Sequence, residues 1–327
     1  MSAVVEKETP MTATIAATGY ATVDVLSNGD YRVVPGGTAT NVARALASRG
    51  WISEFVGTIG RDPAGDFLSS NLRDSGVGVT QLFQDERWTT PVILQRMRGL
   101  DHSWQFRCPE CGAPFAKHRP TGFTRASEIL ERLNAPDVFF FDRTSLFAIA
   151  LAEAWKAAGS FVVFEPAGLG RPQLFDRAAA TADMIKFSGE RAAAFRDRIP
   201  QTNVLIVETL GAGGARFRLP KRNSWHTVPA DPVPFPVDYV GAGDWTTAGI
   251  LDSLGPRDSR SVNLGSVHRA VREGQRLGAL ACTWEGVHPG AFQPLPGGIF
   301  EKFACARYLA ADSAERQQGR VLEDQSD

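Results

Sequence analysis

The chain has 327 residues, 43% of them hydrophobic and 22% charged, with 35 basic against 36 acidic side chains. This balance argues against a partner such as nucleic acid or an anionic membrane, and no apolar run reaches the length of a membrane span. The first residues lack the apolar core of a secretory signal, and four cysteines are too few for a disulfide framework, so a cytoplasmic protein is expected.

Two hairpins are predicted in the first third of the chain. Asn28-Gly29-Asp30 is a tight-turn signal inside the extended segment 20–34. In the segment 91–107, Gly99-Leu100-Asp101 stands between two strand-like runs. Both segments would therefore form antiparallel pairs.

Strands and helices alternate along the rest of the chain. Pro35-Gly36-Gly37 breaks the chain, and Thr38 is placed to cap an alanine-rich helix that ends at Gly50. Continuous apolar strands such as 138–141, alternating with helices, are typical of a parallel sheet that is covered on both faces and binds ligands at its carboxyl edge. The other predicted strands are 54–59, 79–83, 161–165, 183–187, 203–207, 214–219 and 224–228, and the other predicted helices are 67–72, 125–133, 145–158, 172–181, 189–197, 242–254 and 264–281.

The segment 238–249 has the character of an anion-binding site. Its small residues Gly241-Ala242-Gly243 let the backbone approach a ligand closely, and the unpaired N–H groups of a helix start favour a phosphate. Asp244, directly behind this nest, would accept a proton from a hydroxyl that attacks phosphorus. A dinucleotide fingerprint requires glycine where Thr246 stands, and a Walker A loop requires a Gly-Lys-Ser/Thr tripeptide that is missing here. The alternative is a helix start without catalytic function, in which the glycines form the turn and the Asp244 carboxylate interacts with the positive end of the helix dipole.

Three further motifs suit a polyhydroxy ligand and a nucleotide. Gly36-Gly37-x-x-x-Asn41 places flexible backbone and a side-chain amide at a helix start. Asp24 offers a carboxylate that would accept hydrogen bonds from paired hydroxyls. Thr209-x-Gly211-x-x-Gly214 follows a buried strand and forms a loop thin enough to face a nucleotide.

With these motifs in this order, the sequence resembles the ribokinase or PfkB-type family of carbohydrate and nucleoside kinases from about residue 14 to 300. The segment 36–41 is similar to the first signature of that family, and 238–244 to the second, more specific one. The resemblance implies a ribokinase-like α/β fold, with a central mostly parallel sheet, helices on both faces and a small β lid. The implied organisation is a single kinase domain over 12–312 with the lid formed by 20–34 and 91–107, a cysteine-containing insertion at 108–122, and flexible tails at 1–11 and 313–327.

The resemblance also implies roles in an ATP-dependent kinase that phosphorylates a hydroxymethyl group of a small sugar. Asp244 would be the general base, and Gly241, Ala242 and Gly243 the anion hole. The residues implied to bind substrate are Asp24, Gly36, Gly37, Asn41 and Arg107, and those implied to bind the nucleotide side are Thr209, Gly211, Gly214, Gln275 and Glu190. The implied cofactors are ATP and Mg²⁺, with K⁺ near Asp238, and a homodimer through the lid is expected on the same ground.

Three segments depart from the family pattern. Tyr239-Val240 replaces the usual pair of threonines, Trp245 is bulkier than expected after the base, and 186–191 is a register-shifted form of the magnesium-linked motif. These departures leave a non-catalytic sugar- or nucleotide-binding protein open as an alternative. Trp104 on a lid strand, placed to stack on a base, leaves a nucleoside kinase open as well.

The motif Cys108-Pro-Glu-Cys111 has the form of half a zinc knuckle and is not part of the family pattern. Because a structural zinc site needs four ligands, His102 and His118 would complete the site, or two chains would each supply one pair. Free thiols, or a small-loop disulfide, are the alternatives without metal. A lid whose cysteine pair serves assembly or redox sensing is a further functional alternative. The remaining cysteines, Cys282 and Cys305, lie far away in sequence.

Overall fold

The computed structural model describes residues 12–28, 30–98, 101–200, 203–258, 262–296, 300–305, 307 and 309. Its strands are β1 (Thr14–Thr18), β2 (Thr22–Asn28), β3 (Asp30–Gly36), β4 (Ile52–Phe55), β5 (Gly57–Gly60), β6 (Val77–Gly78), β7 (Leu82–Asp85), β8 (Val92–Arg98), β9 (Asp101–Gln105), β10 (Val138–Phe141), β11 (Phe161–Phe164), β12 (Met184–Ser188), β13 (Leu205–Thr209), β14 (Ala215–Arg218), β15 (His226–Val228) and β16 (Gln293–Pro294). Its helices are α1 (Thr38–Ser48), α2 (Pro63–Asp74), α3 (Arg125–Arg132), α4 (Leu146–Ala157), α5 (Pro172–Thr181), α6 (Ala242–Asp258), α7 (Leu264–Ala281) and α8 (Phe300–Ala304).

The large sheet contains nine strands in the order β15-β14-β13-β12-β11-β10-β1-β4-β6. Pairing is parallel from β13 to β6, while β14 and β15 join antiparallel at one edge. Since successive side chains of a strand point to opposite faces, Phe140 lies in one buried cluster while Phe139 and Phe141 lie in the other. The predicted mostly parallel sheet, covered on both faces, is therefore confirmed.

A second, five-stranded sheet has the order β16-β3-β2-β8-β9. The hairpins predicted at 20–34 and 91–107 are its antiparallel pairs β2/β3 and β8/β9, and parallel pairing of β2 with β8 joins them. Gly29 and residues 99–100, at the two predicted turns, lie outside the described residues. This sheet holds two of the residues that the sequence assigned to the substrate side, Asp24 on β2 and Gly36 at the end of β3.

The helices α6 and α7 pack unusually closely because glycines face each other across the contact. A Cβ atom at Gly249 would lie 2.9 Å from Gly274 Cα, and one at Gly274 would lie 2.7 Å from Thr246 O. A side chain at Gly278 would likewise collide with Thr246. The first turns of α6 are thereby held at a short, fixed distance from α7.

Several predicted elements differ from the structure in type or in bounds. The helix expected over 189–197 is wrong: two 3₁₀ turns, Ala192–Ala194 and Arg196–Arg198, occupy the segment. Tertiary contacts override the helix propensity of this alanine-rich run, since Phe195 is buried against Phe187 and Arg196 binds Glu208 at 2.8 Å.

The strand expected over 54–59 is divided into β4 and β5, because the chain leaves the large sheet after Phe55 and Gly57 begins a separate pairing with β7. The strand expected over 203–207 is β13, two residues later. Helix α1 begins at Thr38 as expected, but Gly37 occupies the cap position that Thr38 was predicted to fill.

Within the described part of the chain, none of the helices combines the length and apolar character needed to cross a bilayer. The predicted tails, 1–11 and 313–327, fall outside that part, and the boundaries 12–312 stay a prediction.

Candidate active site

The carboxyl ends of the central parallel strands and the start of α6 meet at one edge of the large sheet. Glu165 follows β11, and Lys186 lies on the neighbouring strand β12. The Lys186 ammonium donates a hydrogen bond to the carbonyl of Gly243, in the first turn of α6, at 2.8 Å. The predicted anion nest therefore lies directly over the sheet edge at which ligands of parallel sheets collect.

The turn into α6 depends on Gly241. Its φ of 84° lies in the left-handed region, and a Cβ atom there would come within 2.6 Å of Val287 Cγ1. The Trp245 indole N–H donates to the Val287 carbonyl at 2.6 Å and fixes the opposite side of the turn. Gly243 and Asp244 fall in the first turn of α6, where backbone N–H groups have no intrahelical carbonyl to bind. This geometry favours an anion at the helix start.

Asp244 keeps some exposure to solvent, although protein groups surround it densely. Asn41 Nδ2 donates to Asp244 Oδ2 at 2.7 Å, which joins the starts of α1 and α6. Burial, with a contribution from the nearby Glu165 charge, raises the pKa of Asp244 to about 7, although the hydrogen bond from Asn41 and the charge of Lys186 oppose the rise. A carboxylate with this pKa is a competent proton acceptor near neutral pH.

A buried ion pair supports the nest from below. Lys186 is 2% exposed and its Nζ lies 2.6 Å from Glu165 Oε1, while the Thr247 hydroxyl donates to Glu165 Oε2 at 2.6 Å. The contact between Lys186 and Glu165 was not predicted from the sequence. The available signal was a single lysine inside the apolar strand β12, because a buried ammonium requires a partner.

The residues predicted to bind substrate lie together at the start of α1. Asp24 on β2 is buried, accepts a hydrogen bond from Gln95 Nε2 at 2.8 Å, and packs so closely against Gly36 that a Cβ atom there would overlap its carboxylate. Gly37 has a φ of 96° and abuts the Tyr20 carbonyl. Asn41, one turn into α1, has an Oδ1 atom with no hydrogen-bond partner among the described residues.

The residues predicted to face a nucleotide lie around the end of β13. Thr209 is the last residue of β13, a 3₁₀ turn over Gly211–Gly213 follows, and Gly214 has a φ of 89°. The Gly189 N–H donates to the Thr209 carbonyl at 2.8 Å, so the turn that contains Glu190 lies beside this loop. Gln275 is buried on α7.

Two predicted residues make contacts that suggest supporting roles. The Arg107 guanidinium is exposed and donates to the Gly112 carbonyl at 2.9 Å, in the turn that contains Cys108 and Cys111. The Asp238 carboxylate is buried and accepts from the N–H groups of Val240 and Gly286, at 2.9 and 2.8 Å. It thereby joins the loop before α6 to the loop after α7.

A third cysteine lies next to the Cys108–Cys111 pair. Cys108, Cys111 and Cys305 have Sγ atoms that all lie within 4.8 Å of one another. His118, one of the expected partners, instead packs its ring against Tyr20 at 5.5 Å, and the side chain of His102 lies outside the described residues. Of the two cysteines that are distant in sequence, Cys305 therefore joins the pair, whereas Cys282 bonds to the Gly278 carbonyl.

Comparison with known proteins gives consistent results. The profile of the pfkB family of carbohydrate kinases matches residues 5–95. A fructokinase of Klebsiella pneumoniae is 31% identical over 299 residues, which cover 84% of this chain and 95% of that protein. An aminoimidazole riboside kinase of Salmonella typhimurium is 27% identical over 295 residues, which cover 82% of this chain and 88% of that protein.

A crystal structure of similar architecture is that of fructokinase from Vibrio cholerae O395, in a form with bound fructose, ADP and calcium ion. It superposes with a TM-score of 0.64 at 28% identity, covering 84% of this chain and 94% of that one. Sequence and architecture therefore both show similarity to carbohydrate kinases.

Proposed function

The chain belongs to the pfkB family of carbohydrate kinases, phosphotransferases with an alcohol acceptor, and on that premise we propose that it transfers the γ-phosphoryl group of ATP to a hydroxymethyl group of a small sugar. The observation that carries the proposal is Asp244, a carboxylate with a raised pKa in the first turn of α6, next to backbone amides that favour an anion. A non-catalytic binding protein would have no use for such a base.

In the proposed mechanism, Asp244 accepts the proton of the attacking hydroxyl. The backbone from Gly241 to Gly243 forms the anion hole, whose N–H groups stabilise the charge on the phosphoryl group during transfer. The hydrogen bond from Asn41 orients the carboxylate. Lys186 supports the same loop through the Gly243 carbonyl, and its charge lowers the pKa of Asp244, which favours the ionised form of the base.

On the substrate side, we assign Asp24 and Asn41 to the hydroxyls of the sugar. Asp24 is held in place by Gln95 and by its contact with Gly36, which leaves little room for a different carboxylate position. The unpartnered Oδ1 of Asn41 supplies a second acceptor one turn into α1. Two such acceptors, one of them on a residue bonded to the base, suit a substrate with several hydroxyls.

On the nucleotide side, we assign the loop with Thr209, Gly211 and Gly214, together with Gln275, to ATP. Mg²⁺ takes oxygen ligands, and Glu190 presents an exposed carboxylate in the turn beside this loop, so the donors present fit a magnesium–ATP complex. When bound, Mg²⁺ neutralises charge on the phosphates. Asp238 fits a different role better, since two backbone amides already use its carboxylate to brace the anion hole. Its part in K⁺ binding stays a prediction.

A nucleoside is the second candidate acceptor. The aminoimidazole riboside kinase from Salmonella typhimurium matches most of this chain, and Trp104 on β9 is 53% exposed on the five-stranded sheet that would form the lid. An exposed indole at the rim of a sugar site could stack on a base. The sugar remains the first choice because the fructokinase of Klebsiella pneumoniae is the more similar of the two relatives, at 31% against 27% identity.

A substrate panel tests the function. ATP consumption with Mg²⁺ and K⁺ would be measured against ketoses, aldoses, sugar acids, sugar phosphates and nucleosides. We expect turnover on a free sugar. The variant Gly36→Ala should lower kcat/KM for that sugar by about 10²-fold, because the new Cβ atom displaces Asp24. Its matched control is Gly168→Ala, where the added Cβ meets nothing within 4 Å. Turnover restricted to nucleosides would select the second candidate, and absence of turnover throughout the panel would overturn both.

The pH dependence follows from Asp244. Since the base must be ionised and its pKa is raised to about 7, kcat/KM should rise about tenfold per pH unit below 7 and level off above it. Burial lowers the pKa values of His118 and His288 to about 4 and about 3, so neither imidazole produces this limb.

Asp142 is the other carboxyl near the site with a raised pKa, about 6, caused chiefly by burial. The variant Asp142→Asn should therefore leave the limb near 7 in place. If the rise in kcat/KM disappeared in Asp142→Asn, the titration would belong to Asp142, and the role proposed for Asp244 would have to be withdrawn.

A further inference from the structure

Three thiols converge at the base of the five-stranded sheet, away from the proposed active site. Cys108 and Cys111 belong to the turn that follows β9, and Cys305 follows α8, 194 residues after Cys111. Cys108 and Cys305 are 2% and 3% exposed, and Cys111 is partly exposed. The fold therefore brings most of a soft-metal ligand set together from two remote segments.

The sulfur separations suit a single ion. Four sulfurs around tetrahedral zinc, each at about 2.3 Å from the metal, lie about 3.8 Å from one another. Here the Cys111 and Cys305 Sγ atoms are 3.3 Å apart, and all three sulfurs fall within 4.8 Å. A disulfide would require about 2.05 Å, and all four cysteines are free.

The local backbone is already shaped as a knuckle. The Cys108 N–H donates to the Ala113 carbonyl at 2.8 Å, and the Gly112 N–H, at a φ of 70°, donates to the Cys108 carbonyl at 2.9 Å. The turn that carries Cys108 and Cys111 is therefore held by its own backbone hydrogen bonds.

We propose that Cys108, Cys111 and Cys305 bind one zinc ion. Within the part of the chain that the structure describes, no fourth His, Cys, Asp or Glu ligand atom belongs to the group. With three thiolates from the protein, a tetrahedral ion would take its fourth ligand from water. Since the thiols coordinate as thiolates, binding releases their protons to solvent.

The ion would act as a structural clamp. Phe300 of α8 already packs on Tyr31 of β3 at 5.0 Å and on Phe115, which follows the cysteine turn, at 5.8 Å. A metal bond to Cys305 would fix the end of α8 to the turn that follows β9, in the sheet that also carries Asp24. No group of the proposed phosphoryl-transfer site takes part, so the clamp is independent of the kinase assignment.

The test uses the full-length chain purified without a metal-chelating tag. Elemental analysis should find one zinc per chain. Replacement by Co²⁺ should give the intense thiolate-to-cobalt absorption and the visible bands of a tetrahedral site. In Cys305→Ser, affinity for Co²⁺ should fall by more than about 100-fold, beyond the 10–100-fold typical of losing an outer-shell partner.

The matched control is Cys282→Ser, since Cys282 is also buried but donates to the Gly278 carbonyl and lies outside the cluster. It should keep the metal content and the cobalt spectrum. Cys111→Ser replaces the partly exposed ligand and guards against loss of folding, which circular dichroism would monitor. The proposal is overturned by iron in place of zinc, by full metal retention in Cys305→Ser, or by a metal-free protein that contains a Cys111–Cys305 disulfide.

Discussion

Replacing Asp244 by asparagine should lower kcat by about 10²–10⁴-fold, the usual contribution of a general base, while KM for sugar and ATP changes only a few-fold. Asparagine keeps an oxygen that can accept the 2.7 Å hydrogen bond from Asn41, so the starts of α1 and α6 stay joined. What is lost is the proton acceptor alone. Steady-state kinetics on the sugar identified by the panel measure the effect.

The same variant should be more stable than the natural chain at alkaline pH. The folded-state pKa of Asp244 is raised from 3.8 to about 7, so keeping this carboxylate ionised costs stability above pH 7, and the cost disappears as pH falls below 4. Asp244→Asn should therefore raise Tm at pH 8 and leave it unchanged near pH 3.5. Asp74→Asn, an exposed carboxylate at the end of α2, is the control and should change neither activity nor Tm. If Asp244→Asn retained activity within tenfold of the natural chain, another base would have to be sought.

The second large effect is expected from Lys186→Met. This substitution leaves Glu165 buried without its ammonium partner, and breaking such a pair costs about 3–5 kcal/mol of unfolding free energy. It also removes a positive charge that lowers the pKa of Asp244, so the rising limb of kcat/KM should move to higher pH. Urea unfolding and the pH profile measure the two effects separately.

Two variants make this prediction specific. Lys156→Met breaks an ion pair with Asp183 whose lysine side chain is 39% exposed, so it should cost no more than about 1 kcal/mol. The double variant Lys186→Met/Glu165→Gln removes both buried charges and should recover most of the stability. If Lys186→Met cost no more than Lys156→Met, or if the limb stayed in place, the ion pair would have no part in supporting the nest.

Much of the fold was readable from local sequence because local rules and tertiary structure agree there. Asn28-Gly29 marks the turn region of the β2/β3 hairpin, and the run Phe139–Phe140–Phe141 forms a central strand buried on both faces. The glycines around 241 start α6 as their pattern indicated. The helix prediction for 189–197 was wrong for the converse reason, since the burial of Phe195 opposes the helix propensity of this segment.

The residues of the candidate site could be predicted only where they are neighbours in sequence. A lone lysine in an apolar strand signals a buried partner, but the identity of that partner depends on strand register. The pairing of Phe164 with Ile185 places Glu165 beside Lys186, and no local pattern encodes it. The contact of Cys111 with Cys305 is still harder to predict, because Cys305 comes 194 residues after Cys111 in the sequence.

The close contact of α6 with α7 sets a limit on how this protein can be re-engineered. At Gly249, Gly274 and Gly278 there is no volume for even a methyl group, so these helices cannot move apart by small substitutions without losing the contact. Selection in the laboratory for a new acceptor would therefore find few viable changes behind the phosphoryl site. Adaptive substitutions should accumulate on β2, β8 and β9, where side chains of the smaller sheet can be exchanged without disturbing the frame that holds Asp244.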